Sequence, residues 1–132
     1  MRRNIRKISL IGMTGALILM SVPVFATERS YEMTIPYPYV GSLQSTPVYV
    51  KDTSGAAYFK PSINTIATKY FVSPWGDSQT LATDIITKSN TTKSTFTWYE
   101  GYGGVGNHYC LSAYPAVNGE YDAYVVKGVW SN

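Results

Sequence analysis

Two reactive side chains lie two residues apart in the last quarter of the sequence. His108 and Cys110 are the only histidine and the only cysteine in the chain, and on a β-strand both would point to the same face. Such a pair could supply a base and a thiol nucleophile, or half of a zinc site. A dyad needs a different separation and orientation, and zinc needs ligands that the chain lacks. We therefore expect a buried or half-exposed structural thiol at Cys110, with an intermolecular disulfide as the alternative.

A glycine-rich segment directly precedes this pair. The run Gly101-Tyr102-Gly103-Gly104-Val105-Gly106 has the G-x-G-x-x-G spacing of a dinucleotide-binding fingerprint. That fingerprint works only where a strand turns into a helix whose N-terminus faces the pyrophosphate. A β-type segment follows here, so we predict a hairpin loop whose glycines adopt positive φ. We expect no bound cofactor.

The acidic residues do not form an evident catalytic pair. They are scattered along the sequence, at Glu28, Glu32, Asp52, Asp77, Asp84, Glu100, Glu120 and Asp122. Most of them lie in turn sequences, where an aspartate hydrogen-bonds to its own backbone. No sequence pattern indicates that two of them flank one substrate site, as a glycosidase would require. The expectation is a protein that is not an enzyme, and a small secreted hydrolase is the alternative.

Aromatic residues are the remaining chemical signal. All 12 tyrosines and all three tryptophans follow residue 26. Aromatics beyond what a small core can hold mark a binding surface, whereas the simpler interpretation is that they build the core. The residues that we select as a possible binding surface are Tyr37, Tyr39, Tyr102 and Tyr114.

The first 26 residues have the pattern of a secretory signal. Residues 1–7 carry four basic side chains and no acid, residues 8–22 are mostly apolar, and small residues precede Thr27. A retained membrane anchor would need about 20 apolar residues, and this stretch has 15, interrupted by two glycines and a threonine. We predict cleavage after Ala26, a secreted protein, and no stable membrane anchor afterwards.

Removal of the signal changes the charge of the protein. Four of the 11 Lys and Arg residues lie in residues 1–26, which leaves seven against eight acids, a formal net charge of −1. This charge gives no basic patch for nucleic acid. The remaining 106 residues, 27–132, fit one domain. With one cysteine, that domain has no internal disulfide and depends on packing.

Period-2 patterns indicate strands along residues 27–132. Residues 31–39 alternate, with Tyr31, Met33, Ile35, Tyr37 and Tyr39 on one side. Because the prolines at 36 and 38 cannot donate to a ladder, this strand either lies at an edge or ends there. Residues 121–130 are apolar on both faces, which predicts an interior strand.

Further strand candidates fill the chain between these two segments. We expect a loop over 41–47, a hairpin around the turn 52–55, strands over 66–72, 81–87, 94–99 and 108–113, and a turn over 73–77. Seven or eight short antiparallel strands and no 3.6-residue period predict an all-β fold. We expect a small antiparallel β-sandwich, Ig-like or jelly-roll-like.

Three segments of the sequence carry a resemblance to a known group of proteins. They are Tyr49-Val50-Lys51-Asp52-Thr53-Ser54-Gly55-Ala56-Ala57-Tyr58, Asn107-His108-Tyr109-Cys110-Leu111-Ser112-Ala113-Tyr114 and Val126-Lys127-Gly128-Val129-Trp130-Ser131-Asn132. Together they resemble a family of small secreted proteins of Gram-positive bacteria whose function is unknown. A more distant likeness is to lactococcin-type β-sandwich bacteriocins. The resemblance implies a bacterial, extracellular setting and no catalytic residues.

The sequence as a whole therefore predicts a secreted, non-enzymatic binding protein. Its partner would be an extracellular or cell-envelope ligand. Within binding, the alternative is a bacteriocin-like antagonist.

Export gives a direct prediction about the mature N-terminus. Because the signal ends at Ala26, the intact mass of the exported protein should match a chain that begins at Thr27, within two residues. Mass spectrometry of the culture medium measures it. The full precursor in the medium, or protein found only in the membrane fraction, would contradict cleavage.

Overall fold

The computed structural model describes residues 26–36, 43–116 and 122–132, and every regular element in these ranges is a β-strand. The strands are β1 Arg29–Ile35, β2 Gln44–Ser45, β3 Tyr49–Val50, β4 Tyr58–Ile63, β5 Thr68–Pro74, β6 Ile86–Lys88, β7 Ser94–Thr95, β8 His108–Pro115 and β9 Tyr124–Ser131. The all-β prediction is confirmed. The described ranges hold nine strands rather than seven or eight, since two-residue strands carry no periodicity. None of the described residues forms a helix long and apolar enough to cross a membrane.

The strands form two antiparallel sheets that pack together. Sheet A has the order β1-β9-β4-β7, and sheet B has the order β2-β8-β5-β6, with β3 also paired to β8. In sheet B, β2 pairs with one part of β8 and β3 with another, so the two short strands share one edge. This is the two-layer arrangement of a β-sandwich.

Strand β9 is an interior strand, as its sequence predicts. It pairs with β1 on one side and with β4 on the other. Tyr124, Val126 and Trp130 are buried in the core, and Val125 and Val129 on the opposite face are half-buried. Trp130 has no exposed surface.

Strand β1 has the predicted alternation and the predicted edge position. Tyr31, Met33 and Ile35 are buried between exposed neighbours, and among the described strands β1 pairs with β9 alone. Tyr37 and Tyr39, expected on the same face, lie outside the described residues.

The core between the sheets is built largely from aromatic rings. The Phe59 ring stacks on Phe96 at 5.0 Å between centroids and lies 4.5 Å from the Tyr70 ring. A buried phenol costs free energy without a hydrogen-bond partner, and the Tyr70 hydroxyl donates to Asn64 Oδ1 at 2.9 Å. Burial raises the pKa of Tyr70 far above its ordinary value, because the charged form would be desolvated.

The turn at 52–55 does not close a hairpin, contrary to the sequence prediction. The strand before it, β3, pairs with β8 in sheet B, whereas the strand after it, β4, pairs with β9 and β7 in sheet A. The turn therefore carries the chain from one sheet to the other. The same turn residues suit a hairpin and a connection between sheets. Which of the two forms depends on the strands, distant in sequence, with which β3 and β4 pair.

Three other segment predictions need correction. The expected strands over 81–87 and 94–99 are regular only in β6 and β7, and Thr83 forms an isolated bridge with Trp98. The Thr83 hydroxyl instead accepts a hydrogen bond from the Val72 backbone N–H at 3.0 Å, so a side chain replaces a ladder bond there. The expected loop over 41–47 contains β2.

The close approach of the paired strands β9 and β4 predicts a strong effect at Gly128. A Cβ at this position would lie 2.3 Å from the Lys60 carbonyl oxygen and 2.8 Å from Pro61 Cα. Gly128→Ala should therefore force the two central strands apart and lower the free energy of unfolding by about 1–3 kcal/mol, as overpacking does. Urea denaturation measures this. In the control Gly55→Ala, the new Cβ would meet nothing closer than 4.0 Å, so the urea midpoint of this variant should not move. Equal midpoints for the two variants would contradict the close approach of β9 and β4.

Candidate binding site

A pocket lies where β5 ends and β8 begins. These two strands pair there, with Pro74 opposite Tyr109. The pocket has a volume of about 310 Å³. It is lined by residues of three segments, namely Pro74, Trp75, Gly101, Tyr102, Asn107, His108 and Tyr109. Its volume is at the lower end of the range for small-molecule sites.

Trp75 is the most exposed of the large apolar side chains in the described residues, at 72%. Its backbone is nevertheless fixed, because its N–H donates to the His108 carbonyl oxygen at 3.0 Å. Gly76 follows with φ of 81°, a value that favours glycine. The Asp77 carboxylate accepts from the backbone N–H groups of Gln79 and Thr80 at 3.2 Å each. These bonds thus fix the backbone that carries the exposed indole.

The Asp77 carboxylate is stabilised in its charged form within this turn. The Thr80 hydroxyl and the two backbone N–H donors lower its pKa below the ordinary value. The turn therefore keeps its hydrogen bonds throughout the neutral range.

Polar groups surround the indole. The His108 ring lies 5.9 Å from the Trp75 ring, centroid to centroid, at an interplanar angle of 48°. Asn107 and His108 are exposed, and Tyr102 is 37% exposed. An imidazole, an amide and a phenol can each donate and accept hydrogen bonds. An apolar ring with a few convergent polar groups is the usual composition of a ligand site.

The glycine-rich segment forms the predicted loop with positive φ values, but the loop does not close a hairpin, because β7 before it pairs with β4 in sheet A and β8 after it pairs with β5 in sheet B. Gly101, Gly103 and Gly106 have φ of 86°, 89° and 87°. The backbone of Gly103 packs against the indole of Trp98, so closely that a Cβ would lie 2.7 Å from the ring. Its N–H donates to the hydroxyl of buried Tyr109 at 2.8 Å. The loop is therefore tied to the core and not free.

A buried lysine joins the glycine loop to the turn at 52–55. The Lys51 backbone donates to the Asn107 carbonyl at 2.8 Å and accepts from the Gly106 N–H at 2.9 Å. Its side chain has no exposed surface, and its ammonium donates to the carbonyls of Thr53 and Gly55 at 2.5 and 2.7 Å. Burial lowers the pKa of Lys51, and the Asp52 charge partly offsets this.

The residues predicted as a binding surface do not all lie together. Tyr102 lines the pocket. Tyr114 lies elsewhere on sheet B, with its ring 6.0 Å from Phe71 and 5.9 Å from the Lys69 ammonium. Tyr37 and Tyr39 lie outside the described residues. Of the four, the structure therefore places one in the pocket.

The histidine and cysteine share a face of β8 but have different surroundings. His108 is exposed beside Trp75, whereas Cys110 is a free, buried cysteine. The Cys110 thiol lies 3.9 Å from both the Ser73 carbonyl oxygen and the Ser112 hydroxyl. The expectation of a structural thiol at Cys110 agrees with this burial.

Carboxylates are not among the described residues that line the pocket. Nor do three His, Cys, Asp or Glu side chains of the described ranges come together as they would to hold a metal ion. Within those ranges, the pocket presents one imidazole, one amide, phenols and an indole.

Sequence reasoning missed Trp75, Asn107 and His108 as pocket residues. Trp75 lies in a segment that reads as a turn, Ser73-Pro74-Trp75-Gly76-Asp77. Turns run over the surface, so a tryptophan in a turn sequence was the available signal for an exposed aromatic.

Comparison with known protein families, with curated proteins and with solved structures finds no match to this chain. The resemblance to small secreted Gram-positive proteins therefore stays a prediction.

The lysine beneath the loop gives a stability prediction. Lys51→Met keeps most of the stem but leaves two carbonyls without their donor, so the free energy of unfolding should fall by about 1–3 kcal/mol. Urea denaturation measures the change. Lys93→Met is the matched control, because the Lys93 side chain is exposed with its ammonium 3.9 Å from the Tyr58 ring. If Lys51→Met lowers the free energy of unfolding no more than Lys93→Met does, the buried ammonium does not stabilise the turn beneath the loop.

Proposed function

We propose that this protein is a secreted, non-enzymatic β-sandwich, Ig-like or jelly-roll-like, that binds a ligand at or beyond the cell surface. Its binding site is the pocket beside Trp75. The signal-like pattern of residues 1–26 supports export, and the resemblance to small secreted proteins supports a bacterial extracellular setting.

One observation carries the proposal. Trp75 exposes 72% of its surface on a turn that several hydrogen bonds hold in place. Leaving a large indole in water without a partner forgoes the stabilisation that its burial would provide. A tryptophan on a fixed backbone has only two side-chain torsions to immobilise on binding, so it loses little conformational freedom, and such residues dominate interfaces.

The surroundings of Trp75 support a ligand site over an isolated exposed residue. Tyr102 and His108 lie at the same pocket and are also exposed. The loop that carries Tyr102 is tied to the core through Gly103 and Lys51. Two separate segments of the chain are thus fixed around one concavity, as a preorganised site requires.

Binding to cells tests the proposal. Purified protein, fluorescently labelled, should adhere to whole Gram-positive cells or to their isolated envelopes. Trp75→Ala should reduce the bound fraction about tenfold at subsaturating concentration, the effect of losing about 1.4 kcal/mol.

A second aromatic provides the control. Tyr99 is 44% exposed but does not line the pocket, so Tyr99→Ala should bind as the unsubstituted protein does. Both variants should keep the melting temperature, since both side chains are exposed. Absence of binding, or binding that Trp75→Ala leaves unchanged, would refute the proposal.

A further inference from the structure

We infer that the pocket binds a neutral pyranose of gluco configuration, with the sugar ring stacked on the Trp75 indole and its hydroxyls bonded to Asn107, His108 and Tyr102. This inference rests on the proposed function, because it names the ligand class of that same pocket.

The indole sets the first requirement on the ligand. The face of an aromatic ring carries a negative potential and its edge a positive one. A pyranose whose substituents are all equatorial presents its axial C–H bonds, which are weakly positive, on two flat faces. Such a face matches the exposed ring of Trp75, whose backbone the bond to His108 already fixes.

The polar side chains set the second requirement. Asn107 offers an amide that donates and accepts, His108 an imidazole, and Tyr102 a phenol, all exposed and all at one pocket. Sugar hydroxyls both donate and accept, so they can bond to every one of these groups. A purely apolar ligand would leave these groups without partners, and this would cost affinity.

The charge of the pocket sets the third requirement. Its described lining contains no lysine, arginine or carboxylate. The nearby ammonium of Lys51 is fully buried and bound to two carbonyls. A phosphate or another anion would find no lysine or arginine in that lining to pair with, and residues 27–132 carry a net charge of −1. A neutral ligand is therefore favoured over nucleotides, nucleic acids and anionic lipids.

The shape of the pocket separates a sugar from a bilayer surface. Tryptophan and tyrosine also favour membrane interfaces. A bilayer, however, is best met by a convex apolar surface, whereas Trp75 borders a concavity of about 310 Å³ with Asn107 and His108 in its lining. We therefore argue for the sugar and treat lipid binding as an outcome of the test.

Titration calorimetry with defined oligosaccharides tests the inference. The probes are cellotriose and chitotriose, which share the gluco configuration, and β-1,4-galactotriose, whose axial O4 interrupts one C–H face. We expect binding to cellotriose or chitotriose that is at least about tenfold tighter than binding to galactotriose. A preference for cellotriose or for chitotriose shows whether the natural ligand contains glucose or N-acetylglucosamine.

Variants assign the binding to the pocket. Trp75→Ala should weaken the affinity for the preferred trisaccharide by about tenfold or more, and Trp75→Tyr, which keeps an aromatic face, should restore part of it. Tyr99→Ala should leave the affinity unchanged. The melting temperature of each variant establishes that the fold is intact.

These experiments separate a failure of the sugar inference from a failure of the proposed binding function. If cells are bound through Trp75 but none of the three sugars binds at millimolar concentration, the sugar inference is wrong and the binding function stands. Trp75-dependent binding to phosphatidylcholine vesicles without sugar binding would equally overturn it. Sugar binding that is insensitive to Trp75→Ala would show that the pocket is not the site.

Discussion

A core built from tyrosines needs hydrogen-bond partners for the phenols that it buries. Of the four tyrosines buried in the described residues, three have a partner for the hydroxyl, and Tyr31 has none. The chain has few charges, 14% of its residues, and its one cysteine is a free thiol, so aromatic packing must provide most of the stability. Each buried phenol carries a hydroxyl that costs free energy unless it has a partner. Tyr70 finds Asn64, and Tyr124 finds Thr68, at 2.9 and 3.0 Å. Hydrogen bonds from the core phenols therefore fix the segments that carry their partners.

The same requirement orders the candidate binding site. Tyr109 is almost fully buried, and its hydroxyl accepts from the Gly103 backbone in the glycine loop. Beside Tyr109, the Trp98 ring packs on Gly103 and lies 4.7 Å from the Tyr109 ring. The packing that stabilises the fold thus also holds Tyr102 beside Trp75. In this protein the rigidity of the site follows from the chemistry of the core.

Local patterns in the sequence predicted the long strands. They missed the features that depend on contacts between residues far apart in the sequence. Strand β1 carries a period-2 pattern and the β9 segment is apolar on both faces, so the edge position of the first and the central position of the second could be derived. The passage of the chain between sheets at 52–55 depends on pairing with β8 and β9, which are more than 50 residues away. The burial of Lys51 was equally hidden, because lysine is almost never buried without partners, and its partners are backbone carbonyls that carry no sequence signal. The site is formed by segments around 75, 102 and 108, which only the fold brings together.

Amide hydrogen exchange of the ligand-free protein tests the central claim, that the glycine loop is held in place before any ligand binds. Followed by NMR, the N–H groups of Gly103 and Gly106 should exchange slowly, because the Tyr109 hydroxyl and the Lys51 carbonyl accept from them. Tyr109→Phe removes one acceptor, so it should speed exchange at Gly103 more than at Gly106. Exchange at both glycines at the rate of an unprotected peptide would contradict a preorganised site and, with it, the account of how the core builds the pocket.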